Sequence, residues 1–169
     1  MKKRTLILFL ALISSLGFAQ KQAAFRIDSL PKQGILLDKN WKWHAGDNPD
    51  FAKADFDDSA WESIDPTKDI MSLKQVRQAE IGYLRINFWI DSILVGKPIA
   101  LSIRQSIASE IFLNGKSIYR LGVVSSNSES EQIFITNGHP YSIVFNRAGF
   151  QRLSVRASFT KHNVLLDLL

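Results

Sequence analysis

The chain has 169 residues with 21 Lys and Arg against 16 Asp and Glu, and three of those cations, Lys2, Lys3 and Arg4, stand at its start. Setting these three aside leaves 18 against 16, a balance without the basic excess or the basic runs that nucleic acid requires. Cysteine is absent, which excludes disulfides, thiolate metal sites and cysteine nucleophiles together; the 11 Phe and 4 Trp point instead to a well-packed core.

Lys2, Lys3 and Arg4 precede the apolar run "TLILFLALISSLGFA", which ends in small residues with Gly17 and Ala19 placed for cleavage before Gln20. Residues 1–19 therefore read as a secretory signal peptide, and the mature chain is expected in the periplasm or another extracytoplasmic space. No later stretch reaches the roughly 18 apolar residues of a spanning helix. The remaining 150 or so residues suit one domain. Residues 20–33 are expected to be a loosely held lead-in.

From residue 34 onward the pattern is that of β structure. "GILL" at 34 and "WKWH" at 41 are short strand candidates. "YLRINFWI" alternates with period two: Leu84, Ile86, Phe88 and Ile90 face one way, Tyr83, Arg85, Asn87 and Trp89 the other. "IALSIR" places Ile99, Leu101 and Ile103 on one face. "EIFLNGKSIY" is a hairpin signature, because Asn114-Gly115 supplies the two positive φ angles of a tight turn between apolar runs. "LGVVSSNSESEQ" reads as a long exposed loop, followed by the short candidate "QIFI". "YSIVFN" and "SVRASF" complete the set, with Tyr141, Ile143 and Phe145 on one face and Val155, Ala157 and Phe159 on one face. About eight short strands and no long helix predict an all-β jelly-roll sandwich over 34–160, with 161–169 left as a truncated tail.

The acidic stretch "ADFDDSAWESIDP" at 54–66 poses the main functional question. One reading makes its carboxylates a metal site or an acid–base pair. The other has Asp57, Asp58 and Ser59 capping a turn through bonds to nearby backbone N–H groups, with Trp61 packing into the core just after it. The second is the expectation. Asp47, Asn48 and Asp50 offer oxygen ligands for calcium, without the spacing or the distal Glu of an EF-hand loop. His44, His139 and His162 have no paired spacing, and Glu110 has no visible catalytic partner. No nucleophile elbow, phosphate loop or dinucleotide fingerprint occurs, so no catalysis and no cofactor is expected. A ligand face is conceivable at Trp43, Tyr83, Arg85 and Trp89, where aromatic rings would stack on a sugar and arginine would bond its hydroxyls. Against it stands the plainer reading that these side chains are covered or simply solvated.

The segment from Trp41 to Pro66, with Trp43, Gly46, Asp47, Asp55, Phe56, Asp57, Asp58, Ser59 and Trp61, resembles the opening of the sugar-binding, galactose-binding-like domain of family 2 glycoside hydrolases. "GYLRINFWI" with Arg85, and "EIFLNGKSI" with Asn114, Gly115 and Lys116, are similar to the strand and hairpin that follow in that family. The resemblance implies a jelly roll in which Trp41, Asp57, Asp58, Ser59, Trp61, Asn114 and Gly115 are structural. A fold of this kind hosts many functions. The wording of the segment most resembles the extracytoplasmic domain of bacterial membrane sensors, many of them histidine kinases of two-component signalling. That resemblance implies a sensory, ligand-binding fragment, joined to a membrane only through a missing C-terminal region. Two alternatives remain: an accessory carbohydrate-binding domain of a glycoside hydrolase, and a free-standing exported module that contacts itself or another protein. The partners expected are thus a carbohydrate or other small extracellular ligand, a second copy or a protein, and not nucleic acid.

Overall fold

The computed structural model describes residues 25–69 and 72–160. The expected signal peptide at 1–19, the first residues of the lead-in, His162 and the 161–169 tail lie outside them. Among the described residues no helix is long and apolar enough to cross a membrane.

Period-two alternation becomes strands: β1 (Phe25–Ile27), β2 (Trp41–Ala45), β3 (Glu62–Ile64), β4 (Ile81–Ile90), β5 (Pro98–Leu101), β6 (Ser106–Leu113), β7 (Lys116–Leu121), β8 (Phe134–Ile135), β9 (Tyr141–Val144) and β10 (Gly149–Ser158). One large sheet runs β3-β2-β4-β10-β6-β7, with β1 added to β4 and β8 to β6; β5 and β9 pair separately. The fold is an all-β sandwich, as the alternation predicts.

The inner face holds the core. Leu84, Ile86, Phe88 and Ile90 of β4 point into it together with Trp41 and Trp43 of β2, Ile111 of β6, and Leu153 and Ala157 of β10. The β5–β9 pair closes over them with Ile143, and Phe145 follows just beyond β9. Phe145 meets Phe88 edge-on at 5.8 Å, and Trp43 meets Phe159 in the same manner at 5.8 Å. The β6–β7 hairpin turns at Asn114 (φ 51°) and Gly115 (φ 83°), the pair of positive angles its sequence predicts. The Asn114 amide donates to Gln151 Oε1 at 2.7 Å, and its oxygen accepts from the Arg152 N–H at 2.9 Å, which ties the turn to β10.

Four sequence expectations change. The lead-in is not wholly loose: β1 lies in it and pairs parallel with β4, Phe25 beside Phe88 and Ile27 beside Ile90. β2 covers that edge of β4 only from Gly82 to Ile86, so the edge beyond is free for β1. A three-residue strand is too short for periodicity to announce. "GILL" is not a strand. Gly34 (φ +77°) closes a turn from Pro31, after which Ile35 and Leu37 pack on the core unpaired while Leu36 stays exposed. β3 escapes notice inside the acidic segment, because only Ile64 of its three side chains is buried. The "LGVVSSNSESEQ" loop is pinned rather than free. Val123 bridges Gln132, and the buried Glu131 carboxylate accepts the Ser158 hydroxyl at 2.5 Å.

Candidate functional site

The outer face of the large sheet carries the chemistry, and strand register arranges it in rows. Lys42, Arg85, Ser154 and Phe112 lie side by side across β2, β4, β10 and β6; His44, Tyr83, Arg156 and Glu110 form the next row. Asn87 pairs with Arg152 on the other side of the first row, and beyond it Arg26, Trp89 and Phe150 make an end row across β1, β4 and β10.

Residues 46–61 form a strap across the first three rows, and three arginines hold it. Arg156 forks onto Asp47, both contacts at 2.6 Å. Arg85 donates to the Lys53 carbonyl at 2.9 Å and lies 3.2 Å from Asp58 Oδ2, with its guanidinium over the rings of Phe56 and Trp61. Arg152 donates to Asn87 at 2.7 Å and to the carbonyls of Ala54 and Phe56, and lies 3.7 Å from Asp58. Under the strap Phe51, Phe56 and Trp61 gather around Tyr83 and His44. Burial pulls the Arg85 guanidinium down to about 10, helped by Arg152 and opposed by Asp58, so Arg85 remains charged at neutral pH. Burial also pushes the Tyr83 phenol up to about 12.

The acidic stretch thus divides its labour. Asp57 accepts the Ser59 N–H at 2.9 Å, the turn-capping bond its sequence suggests. Asp58 is the counter-charge of two buried arginines, a role with no local signal. Trp61 follows in the packed layer, 6% exposed. The calcium candidates are each committed elsewhere: Asp47 to Arg156, Asn48 to the Asp50 N–H, and Asp50 to Lys53 at 2.7 Å. No three acidic or histidine side chains converge as a metal cage among the described residues. His44 lies 4.9 Å from the Phe51 ring and 5.2 Å from Trp61, and His139 is exposed. Glu110 binds Ser117 and Arg120.

The four proposed ligand residues do not share one open face. Trp43 points to the inner face, 2% exposed in the core; the alternation that placed Tyr83, Arg85 and Trp89 together on β4 had no bearing on a residue of β2. Tyr83 and Arg85 share the outer face as expected but are sealed by the strap. Trp89 alone stays open, 41% exposed. It lines a depression of about 580 Å³ with Asp91, Ser92, Arg147, Gly149 and Phe150. A second groove of about 320 Å³ runs between β7 and β9. Arg152 and Arg156 escaped sequence reasoning. The available signal was their spacing in "GFQRLSVRAS", where they alternate with Leu153, Val155 and Ala157 and so must face away from the core.

Three surface aspartates make stability depend on acid. Asp57 is held below the ordinary carboxylate value chiefly by the Ser59 N–H, Asp65 by the Thr67 hydroxyl and N–H, and Asp91 by the Ile93 N–H. A carboxyl with a lowered folded pKa stabilises the fold above its unfolded pKa and loses that contribution as pH falls through the folded one. Urea midpoints should therefore be flat from pH 7 to 5 on account of these groups and fall below about pH 4. Removing the Ser59 N–H bond with Asp57→Ala should reduce that acid slope.

No family model matches the chain, and no curated protein matches it. Solved structures do. A glycosyl hydrolase family 2 member from Bacteroides cellulosilyticus DSM 14838 superposes with a TM-score of 0.52 at 21% identity, over 72% of this chain and 17% of that one. A Bacteroides uniformis β-glucuronidase superposes with a TM-score of 0.51 at 19% identity, over 73% of this chain and 14% of that one. What is shared is the fold. This chain spans about a seventh to a sixth of the length of those enzymes, and the expected likeness to the sandwich domain of family 2 glycoside hydrolases holds at the level of the fold.

Proposed function

We propose that the chain is a non-catalytic accessory sandwich of the kind attached to family 2 glycoside hydrolases, and that it binds carbohydrate. The observation that supports this best is the superposition of nearly three quarters of the chain on so small a part of hydrolases. The disposition of the acids supports the non-catalytic part, since Asp47, Asp57 and Asp58 serve the strap rather than an open cleft. The signal-like sequence at 1–19 supports an exported protein, where polysaccharide would be met. The sensor reading rests on the wording of the sequence alone; the solved structures above are hydrolases and favour the accessory domain.

The test is a thermal-shift screen of the purified chain against mono- and oligosaccharides and calcium. A sugar that binds the native state at a hundredfold excess over its Kd adds about 2.7 kcal/mol, which moves the Tm of a domain of this size by ~5–10 °C. Calcium should move it little. A cooperative melt unmoved by every saccharide would remove carbohydrate binding from the proposal.

A further inference from the structure

We propose that the depression at the end of the outer face is a saccharide subsite, in which a pyranose ring lies on the Trp89 indole while Arg147, Ser92 and Asp91 form its polar rim. This rests on the carbohydrate reading above and adds the place and the residues. The strap seals the outer face as far as Asn87 and Arg152, and the end row beyond it is left open. On that row Trp89 and Phe150 are register partners and both are exposed, 41% and 36%. The other three tryptophans are all at most 6% exposed, so Trp89 is the single indole presented to solvent.

The floor of the depression is held in place. Gly149 lies against the indole: a Cβ there would sit 3.7 Å from Trp89 Cζ2, and its φ of +93° suits glycine. The Arg152 guanidinium lies 5.7 Å from the centre of the Phe150 ring while its other contacts bind Asn87 and the strap, so the second aromatic is backed by a fixed group. Asp91 caps the turn Ser92–Leu94 through the Ile93 N–H and lies 3.6 Å from Arg26, which fixes the rim on the β1 side.

The chemistry of this arrangement selects its ligand. A partly exposed indole offers apolar ring surface to the C–H face of a pyranose, and the charged and hydroxyl rim would meet the hydroxyls around that ring. A purely apolar partner would instead desolvate the Arg147 guanidinium and the Asp91 carboxylate without offering either a new bond.

The experiment titrates the intact chain with gluco-, xylo-, manno- and galacto-configured hexasaccharides, neutral and uronate-bearing, and follows heat and tryptophan fluorescence. In parallel, N-bromosuccinimide oxidation of native protein reads Trp89 without mutation. The expected result is binding of at least one saccharide, protection of Trp89 from oxidation by it, and a loss of affinity of tenfold or more in Trp89→Ala. Arg147→Ala should weaken the same ligand severalfold. Binding with Trp89 unprotected and Trp89→Ala unchanged would overturn the subsite and leave the accessory reading standing. No binding by any of the saccharides would overturn the subsite together with the carbohydrate binding on which it rests.

Discussion

Asp58→Ala is expected to be the most damaging single change on the outer face, costing about 3–5 kcal/mol of a total that for such domains is about 5–15 kcal/mol. The reason is what the substitution leaves behind. Arg85 is fully buried, and Arg152 is 8% exposed. Without the Asp58 carboxylate their charges remain, facing each other and two carbonyl-lined walls. Burial already disfavours the charged form of Arg85, with the Arg152 charge adding to it, and Asp58 is the first opposing influence. Asp47→Ala is the control. It also breaks an arginine–carboxylate fork, but its carboxylate is 42% exposed, water takes over, and the loss should stay below about 1 kcal/mol. A double change, Asp58→Leu with Arg85→Met, should recover part of what Asp58→Ala loses, since it removes the fully buried Arg85 charge while Arg152 keeps its bonds to Asn87 and the Phe56 carbonyl. Urea denaturation of the four proteins decides it. Equal, small losses for Asp58→Ala and Asp47→Ala would mean the strap is held by its aromatic residues and not by buried charge.

The second large effect is expected on the inner face. Trp43 crosses over Gly82 to reach Phe159, and a Cβ on Gly82 would lie 2.0 Å from the indole Cη2. Gly82 is glycine because of this close approach, and its backbone needs no special angle. Trp43→Ala removes the largest ring of this corner and should cost about 3–5 kcal/mol. Gly82→Ala should cost about 1–3 kcal/mol by forcing the ring out of place. The two are coupled: in the Trp43→Ala background the methyl of Gly82→Ala enters vacated space, so the double variant should be more stable than the sum of losses predicts, by about 1–3 kcal/mol. Strict additivity in the denaturation cycle would show that the indole is not what excludes a side chain at 82.

These two sites also separate what was legible from what was not. The inner residues of β4 were readable because period-two alternation is a local property of the chain. So was the Asn114-Gly115 turn, whose angles few other dipeptides adopt. The capping role of Asp57 was legible for the same reason, as its partner is two residues away. The counter-charge role of Asp58 was not, because Arg85 and Arg152 lie 27 and 94 positions further along the chain. Nor was the fate of the outer face. Alternation assigns Tyr83, Arg85 and Trp89 to one side, but does not say that a strap will cover the first two and stop before the third.

By itself the sequence determined the class of fold, the inner row of the central strand, the tight hairpin, and the likeness to a sandwich domain found in family 2 glycoside hydrolases. Each of these is written in neighbouring residues or in a period of two. Tertiary structure alone decided that β1 completes the edge of β4, that Trp43 belongs to the core, that three arginines fasten residues 46–61 across the sheet, and that Trp89 is left open at its end. The physical reason is that side-chain direction follows from local backbone geometry, whereas burial depends on which distant segment folds over that side chain.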